Sequence, residues 1–278
     1  MNQGGIMTVT NIELSSKTSI PIIGFGTWKI TNENELRTSV NTALDVGYRH
    51  FDTAQVYGNE QYVGSTLAES SVPRDELFVT TKISTTNMSD HNVIPSFDES
   101  LEKLQTDYVD LLLLHFPVTD ARQPAWKDLE SIAESGKAKA IGVSNYTTTH
   151  LQELLNDCKI KPAVNQVELH VFLQQPDLIK YCHDNDIAVE AYSPLVQGEG
   201  LDNPVLAEIA EKHGKTPAQI MLRWCIERNL IPLPKSAHPE RIRQNFEIFD
   251  FSLDSDDMES IAGLDKGLRT NWDPTDIT

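Results

Sequence analysis

The chain has 278 residues, of which 23 are Lys or Arg and 41 are Asp or Glu, so its formal net charge at pH 7 is -18. A protein this acidic repels phosphate backbones and anionic lipid surfaces, which argues against a nucleic-acid or membrane partner. No apolar run approaches the roughly 20 residues that a membrane span needs. The length suits one α/β barrel, which typically has about 250 residues.

The cysteines and the N-terminus indicate a cytoplasmic protein. Cys158, Cys182 and Cys225 are far apart and odd in number, a pattern that predicts neither a disulfide framework nor a zinc site. The opening MNQGGIMTVT lacks the basic start and apolar core of a signal peptide. Residues 1–6 are interpreted as a flexible extension, with Met7 as a second start.

From about residue 23, short apolar runs alternate with amphipathic stretches, and no Pro-, Gly- or Ser-rich linker interrupts them. We therefore expect one domain over residues 1–278. Residues 8–22, which precede the first run, are predicted to form a hairpin that caps one end of the fold. Helical patterns begin near residues 34, 96, 149 and 239. The runs predicted as strands are IGFGT from 23, HFDTA from 50, LFVTTK from 77, VDLLLLH from 109, AIGVSN from 140, AVNQVEL from 163, AVEAYS from 188 and LIPLPKS from 230.

Eight strand and helix repeats of roughly 30 residues are typical of a closed (β/α)8 barrel, the TIM barrel. An open, doubly wound sheet gives a similar local pattern. When such a sheet binds NADP, however, its first strand leads into GxGxxG, whereas Gly24 and Gly26 are followed here by Thr27, Trp28 and Lys29. The missing third glycine favours the barrel.

Three ionisable residues end successive apolar runs, and active sites of such barrels lie at the carboxyl ends of the strands. They are Asp52, Lys82 and His115, and Tyr57 follows Asp52 by five residues. Any one of them alone is more often a solvated or structural residue. Together they suit proton transfer from a tyrosine. Because a free tyrosine has a pKa of about 10, we expect Lys82 to lower the pKa of Tyr57, Asp52 to hold Lys82, and His115 to orient a substrate oxygen.

Three segments resemble the signatures of the aldo-keto reductases: GYRHFDTAQVYGNEQYVG at 47–64, KAIGVSNY at 139–146 and LPKSAHPERIRQN at 233–245. The resemblance covers essentially the whole chain. With NQVELH at 165–170 and AYSPLVQGEG at 191–200, the chain is most similar to the 2,5-diketo-D-gluconate reductase type. The resemblance implies reduction of aldehydes or ketones by NADPH, including α-dicarbonyls or keto-sugars, with Tyr57 as the acid and without a metal. We expect a monomer.

The resemblance also implies two sets of NADPH (NADP+) contacts. In the first, Ser144, Asn145 and Gln166 hold the carboxamide and Tyr192 stacks on the nicotinamide ring. Thr27 and the main chain from Ser193 to Leu195 line the dinucleotide. The second set, around the adenosine 2′-phosphate, is Lys235, Ser236, Arg241, Gln244 and Asn245. Lys and Arg suit a phosphate, and this interpretation is favoured over the alternative that Arg241 and Arg243 are only surface charges of a helix.

Trp28, Phe116 and Ser84 are predicted to line the substrate pocket. Phe116 and Ser84 stand where the family often has Trp, which predicts a wider and slightly more polar pocket and broad action on aldehydes and α-dicarbonyls. His50, His170 and Glu168 are interpreted as structural.

Two other functions remain open at this point. One is a Schiff-base aldolase on the same barrel, with Lys82 as the nucleophile. The Asp52 carboxylate argues against it, because a nucleophilic amine must be neutral. The other is a non-catalytic NADPH-binding protein, which the complete set of four site residues disfavours.

Overall fold

In the computed structural model, which describes residues 10–277, eight parallel strands lie side by side in chain order. They are β3 (Phe25–Gly26), β4 (His50–Asp52), β5 (Phe78–Ile83), β6 (Val109–Leu114), β7 (Ala138–Ser144), β8 (Val164–Glu168), β9 (Ala188–Tyr192) and β10 (Ile231–Leu233). Each coincides with one of the predicted runs. The interpretation of residues 1–6 and of Met7 concerns positions outside the described residues.

Hydrogen bonds between the first and last strands close the barrel. The main-chain nitrogens of Gly24 and Gly26 donate to the carbonyl oxygens of Pro232 and Pro234, each at 3.0 Å. A side chain at Gly24 would collide with its neighbours, because a Cβ there would lie 2.5 Å from Leu233 and 2.6 Å from the His50 ring. The glycines of this segment therefore serve close strand approach, and the predicted (β/α)8 barrel is confirmed.

Helices pack around the strands. The boundaries are α1 (Glu33–Val46), α2 (Glu60–Ala68), α3 (Thr85–Ser89), α4 (Val93–Leu104), α5 (Arg122–Glu134), α6 (Thr148–Asp157), α7 (Pro176–Asp184), α8 (Pro204–His213), α9 (Pro217–Glu227), α10 (Pro239–Phe246) and α11 (Ser255–Ala262). Short 3-10 turns span Gln55–Tyr57, Arg74–Glu76 and Val196–Gly198. Helix α1 ends at Gly47 with φ 115°, a left-handed conformation that glycine adopts without strain.

The predicted hairpin lies at the floor of the barrel. Strands β1 (Asn11–Glu13) and β2 (Ser19–Pro21) pair antiparallel. Leu14 and Ile20 are buried against strand side chains that include Leu111 and Leu113. This apolar contact seals the end of the barrel opposite the strand ends that carry the site. Within residues 10–277, no helix is long and apolar enough to cross a membrane.

Candidate active site

The four residues predicted to do the chemistry lie together at the barrel mouth. Asp52 is the last residue of β4, Lys82 lies one residue before the end of β5, and His115 follows β6 directly. Tyr57 ends the 3-10 turn that follows β4. The carboxyl ends of three neighbouring strands thus supply three of the groups, and the first loop turns the tyrosine back over them.

The Lys82 ammonium is held by three oxygen atoms inside the barrel. It donates to both oxygens of Asp52, at 2.6 and 2.8 Å, and to the carbonyl oxygen of Thr53 at 3.0 Å. Its remaining contact is the Tyr57 hydroxyl oxygen at 3.4 Å. Because Lys82 donates in that contact, the phenolic proton of Tyr57 stays free for another acceptor.

The pKa of Tyr57 departs from the sequence-based expectation. Burial raises it above its ordinary value, Lys82 lowers it, and the Asp52 carboxylate raises it again, with a net upward shift. The expected net lowering by Lys82 is therefore wrong, because burial, reinforced by the Asp52 carboxylate, outweighs the effect of the ammonium. Tyr57 consequently keeps its proton at neutral pH and is a donor to any strongly basic oxygen that forms beside it.

Burial, reinforced by the nearby Lys82 ammonium, lowers the pKa of His115 to about 3. The imidazole is therefore neutral at physiological pH. It packs edge to face on the Tyr57 ring, with centroids 5.8 Å apart, and is partly exposed to the mouth. A neutral ring in this position is suited to orient a carbonyl oxygen toward Tyr57 by one hydrogen bond.

The residues expected at the nicotinamide end form one hydrogen-bonded group. The Asn145 amide donates to the His115 carbonyl oxygen at 3.0 Å and to Ser144 at 3.1 Å, and it accepts from the Tyr192 hydroxyl at 2.7 Å. Asn145 has φ 65°, in the left-handed region that Asn tolerates better than most residues. Gln166 lies on the neighbouring strand, β8, where its main-chain oxygen accepts from Ser144.

The remaining predicted dinucleotide contacts differ in accessibility. Ser193 and Leu195 lie on the loop after β9 and are partly exposed. Thr27 is fully buried, and its hydroxyl donates to the Asp52 carbonyl oxygen at 2.9 Å. The structure therefore gives the Thr27 side chain a role in joining β3 to β4, and only its neighbour Trp28 reaches the mouth.

The predicted phosphate residues lie around the start of α10. Lys235 and Arg241 are exposed and form no ion pair or hydrogen bond within residues 10–277. Ser236 is buried and accepts from the main-chain nitrogen of His238 at 3.1 Å. Gln244 is exposed and Asn245 is buried. Two free cations in a chain of net charge -18 fit a bound phosphate group.

The predicted pocket walls lie at the rim. Trp28 is 36% exposed, and Phe116 meets Trp272 edge to face, with centroids 6.1 Å apart. Ser84 is not such a wall: it is buried and caps α3, where its hydroxyl accepts from the main-chain nitrogen of Asn87 at 3.1 Å. Sequence reasoning missed this cap because the helix is only five residues long.

Glu168 fixes the C-terminal segment that carries Trp272. Its carboxylate accepts from the main-chain nitrogen and hydroxyl of Thr270, at 2.7 and 2.6 Å, and from the nitrogen of Asn271 at 3.2 Å. Burial alone would raise the pKa of Glu168, but the neighbouring His170 ring and the hydrogen bonds from Thr270 and Asn271 outweigh it and bring the pKa to about 2. The structural interpretation of Glu168 fits these contacts.

Glu190 is a site residue that sequence reasoning missed. It lies in the middle of β9, fully buried, and accepts from the Gln166 amide nitrogen at 2.7 Å. Burial, reinforced by the Asp52 carboxylate, raises the pKa of Glu190 to about 8. The only signal in the sequence was one charged residue within the apolar run AVEAYS.

The raised pKa of Glu190 predicts a loss of stability at alkaline pH. An unfolded chain ionises this carboxyl near pH 4.5, whereas the folded protein keeps the proton up to about pH 8. The free energy of unfolding therefore falls as the pH rises through that window, and it stops falling above it. We expect Glu190→Gln to raise the melting temperature by several degrees more at about pH 9 than at about pH 5. If the melting temperatures of the wild type and the variant differ by the same amount at both pH values, the raised pKa of Glu190 is contradicted.

The family model described as the Aldo/keto reductase family matches residues 22–266. The chain therefore belongs to this family and is an oxidoreductase that acts on carbonyl compounds. Glyoxal reductase of Bacillus subtilis is 44% identical over 266 residues, which cover 96% of each protein. Methylglyoxal reductase DkgA of Escherichia coli O157:H7 is also 44% identical, over 95% of this chain and 97% of that protein. The predicted 2,5-diketo-D-gluconate reductase type is in accord with these relatives.

Solved structures of aldo-keto reductases also match the chain. The aldo-keto reductase MGS-M4, from a Medee basin deep-sea metagenome library, matches with a TM-score of 0.93 and 43% identity over 96% of this chain and 99% of that chain. The Bombyx mori aldo-keto reductase AKR2E5, complexed with NADPH, matches with a TM-score of 0.91 and 34% identity over 95% and 90%.

Proposed function

We propose that the protein reduces aldehydes and α-dicarbonyl compounds to alcohols with NADPH, with Tyr57 as the proton donor. The observation that carries the proposal is the Tyr57 hydroxyl, 3.4 Å from an ammonium that Asp52 holds in place. This arrangement leaves the phenolic proton as the one available to a substrate oxygen at the mouth of the barrel.

Each of the four residues has a distinct part in the reaction. His115, neutral at physiological pH, hydrogen-bonds the carbonyl oxygen and aims it at Tyr57. NADPH, when bound, supplies the hydride to the carbonyl carbon. Tyr57 donates its proton to the oxygen as negative charge develops there, and Lys82 stabilises the resulting phenolate. Asp52 keeps Lys82 charged and in contact with Tyr57.

The residues at the two predicted ends of the cofactor site suit NADPH. Gln166 Oε1 makes no hydrogen bond within residues 10–277 and is available to accept from a carboxamide N–H group. Lys235 and Arg241 have no protein partner in that range and suit the 2′-phosphate. Tyr192 would stack on the nicotinamide ring. The known NADPH complex of the AKR2E5 relative supports this cofactor.

The rim of the pocket favours small carbonyl substrates of broad type. Trp28 and Trp272 leave an open mouth with aromatic sides, and Phe116 is smaller than the indole that the family often has there. The relatives named glyoxal reductase and methylglyoxal reductase support α-dicarbonyls as the substrate class.

The structure disfavours the aldolase alternative. Burial alone lowers the pKa of Lys82, but its contacts, chiefly the one with the Asp52 carboxylate, outweigh burial, and the net shift is upward. A lysine that stays protonated is a poor nucleophile.

The direct test is to mix the purified protein with NADPH and a panel of glyoxal, methylglyoxal, simple aldehydes and keto-sugars, and to follow NADPH absorbance. We expect saturable oxidation that is fastest with the α-dicarbonyls. Binding of NADPH without oxidation by any member of the panel would favour a non-catalytic protein. A lysine adduct trapped with borohydride and substrate would favour the aldolase.

A further inference from the structure

Glu190 and Gln166 are paired across neighbouring strands of the barrel. They are register partners in β8 and β9, and both side chains are buried inside the barrel. The Gln166 amide nitrogen donates to Glu190 Oε2 at 2.7 Å and to Asp52 Oδ2 at 2.8 Å. Gln166 thereby connects the catalytic Asp52 to a carboxyl group that takes no part in the proposed reaction.

Two acceptors on one side of Gln166 decide which way its amide faces. An amide nitrogen carries two protons, and here the two carboxyl groups take both. The reverse orientation would turn the amide oxygen toward the Asp52 carboxylate, which has no proton to donate. Asp52 alone does not hold the amide, because one hydrogen bond still permits rotation about it. The second contact, from Glu190, fixes the plane of the amide and points Oε1 away from the carboxyl groups.

We propose that Glu190 is a positioning residue for the cofactor: it fixes the Gln166 amide so that its oxygen accepts a hydrogen bond from the nicotinamide carboxamide. The inference rests on the proposed function, since it requires a nicotinamide ring beside Gln166. Glu190 acts only through Gln166 and touches neither substrate nor cofactor.

The charges around Glu190 are compatible with this role at neutral pH. The ionisable groups that face it are His50 and Asp52 from β4 and Lys82 from β5. Its other register partner, Ile231 of β10, is apolar. His50 Nε2 lies 3.5 Å from Glu190 Oε1, which has no hydrogen-bond partner within residues 10–277. A proton on Oε1 leaves Oε2 free to accept from Gln166, so the contact persists in the neutral acid.

The test compares Glu190→Leu, which removes the acceptor, with Glu190→Gln, which keeps an oxygen for Gln166. We expect Glu190→Leu to weaken NADPH binding about tenfold, equal to ~1.4 kcal/mol, and to raise the KM for NADPH more than it lowers kcat. Glu190→Gln should stay within about twofold of the wild type. Dissociation constants come from fluorescence titration and kinetic constants from NADPH absorbance.

Two ligands separate positioning from general damage to the fold. Adenosine 2′,5′-bisphosphate has no nicotinamide, so its affinity should be the same for wild type and Glu190→Leu. The 3-acetylpyridine analogue of NADPH lacks the carboxamide N–H group, so Glu190→Leu should not weaken it further. The matched control is Glu130→Leu, which removes another buried carboxyl, one that accepts from the nitrogens of Lys159 and Ile160 in the outer layer. This control should bind NADPH like the wild type.

Three results would overturn the inference: unchanged NADPH affinity in Glu190→Leu, an equal loss for the bisphosphate, or an equal loss for the acetylpyridine analogue. If Glu190→Leu does not fold, Glu190→Asp gives the same test, because the shorter side chain withdraws its carboxyl from Gln166. Failure of the proposed function would look different, since the wild type itself would then oxidise NADPH with no carbonyl compound of the panel.

Discussion

Replacing Tyr57 by Phe should lower kcat about 1,000-fold, because one hydroxyl supplies the proton that the reduced carbonyl oxygen must gain. The aromatic ring and its packing on His115 remain, so NADPH affinity should change by no more than about twofold. Single-turnover measurements with methylglyoxal and excess enzyme give the chemical step, and fluorescence titration gives the dissociation constant of NADPH.

Tyr62→Phe is the matched control for this variant. Tyr62 lies on α2, is partly buried against the apolar core, and its hydroxyl makes no hydrogen bond within residues 10–277. Loss of this hydroxyl should leave turnover near the wild-type rate. Residual turnover in Tyr57→Phe comparable to that of Tyr62→Phe would show that another group, or water, delivers the proton.

Neutralising both Lys235 and Arg241 should weaken NADPH binding by about 100-fold to 10,000-fold while leaving NADH binding nearly unchanged. Each cation would contribute a charge-assisted hydrogen bond to the 2′-phosphate, worth about 1.5–3 kcal/mol. NADH has no phosphate at that position, so the double variant Lys235→Gln and Arg241→Gln should lose only the selectivity for NADPH over NADH. Dissociation constants of both cofactors measure it, at one fixed salt concentration because phosphate contacts are screened by salt.

Arg243→Gln controls for the loss of positive charge as such. Arg243 lies on the same helix, α10, and is also exposed, but two positions from Arg241 on a helix it faces another direction. The control should change NADPH and NADH affinity alike and only slightly. A similar loss for both cofactors in the double variant would remove the 2′-phosphate assignment.

The barrel could be predicted from the sequence because each buried parallel strand is a short apolar run. The three ionisable residues at strand ends could be predicted for the same reason, since the end of an apolar run gives the end of a strand. Asp52 and His115 lie where these runs predicted them. The cofactor contacts came only from family resemblance, because no local pattern marks them.

The features that sequence reasoning missed depend on burial and on contacts between distant segments. The upward shift of the Tyr57 pKa follows from burial and from the Asp52 carboxylate, and neither magnitude can be read from spacing. The role of Ser84 as a helix cap was not predicted, because α3 is too short to show a helical periodicity in the sequence. Glu190 is a site residue only because the barrel brings β8 and β9 together.

The most direct test of the central claim follows hydrogen itself from cofactor to product. The protein is incubated with methylglyoxal and NADPH dideuterated at C4 of the nicotinamide, and the alcohol product is analysed by mass spectrometry. The proposed function predicts one deuterium on the new carbinol carbon of each product molecule. Product that carries no deuterium at that carbon would contradict hydride transfer from NADPH at this site.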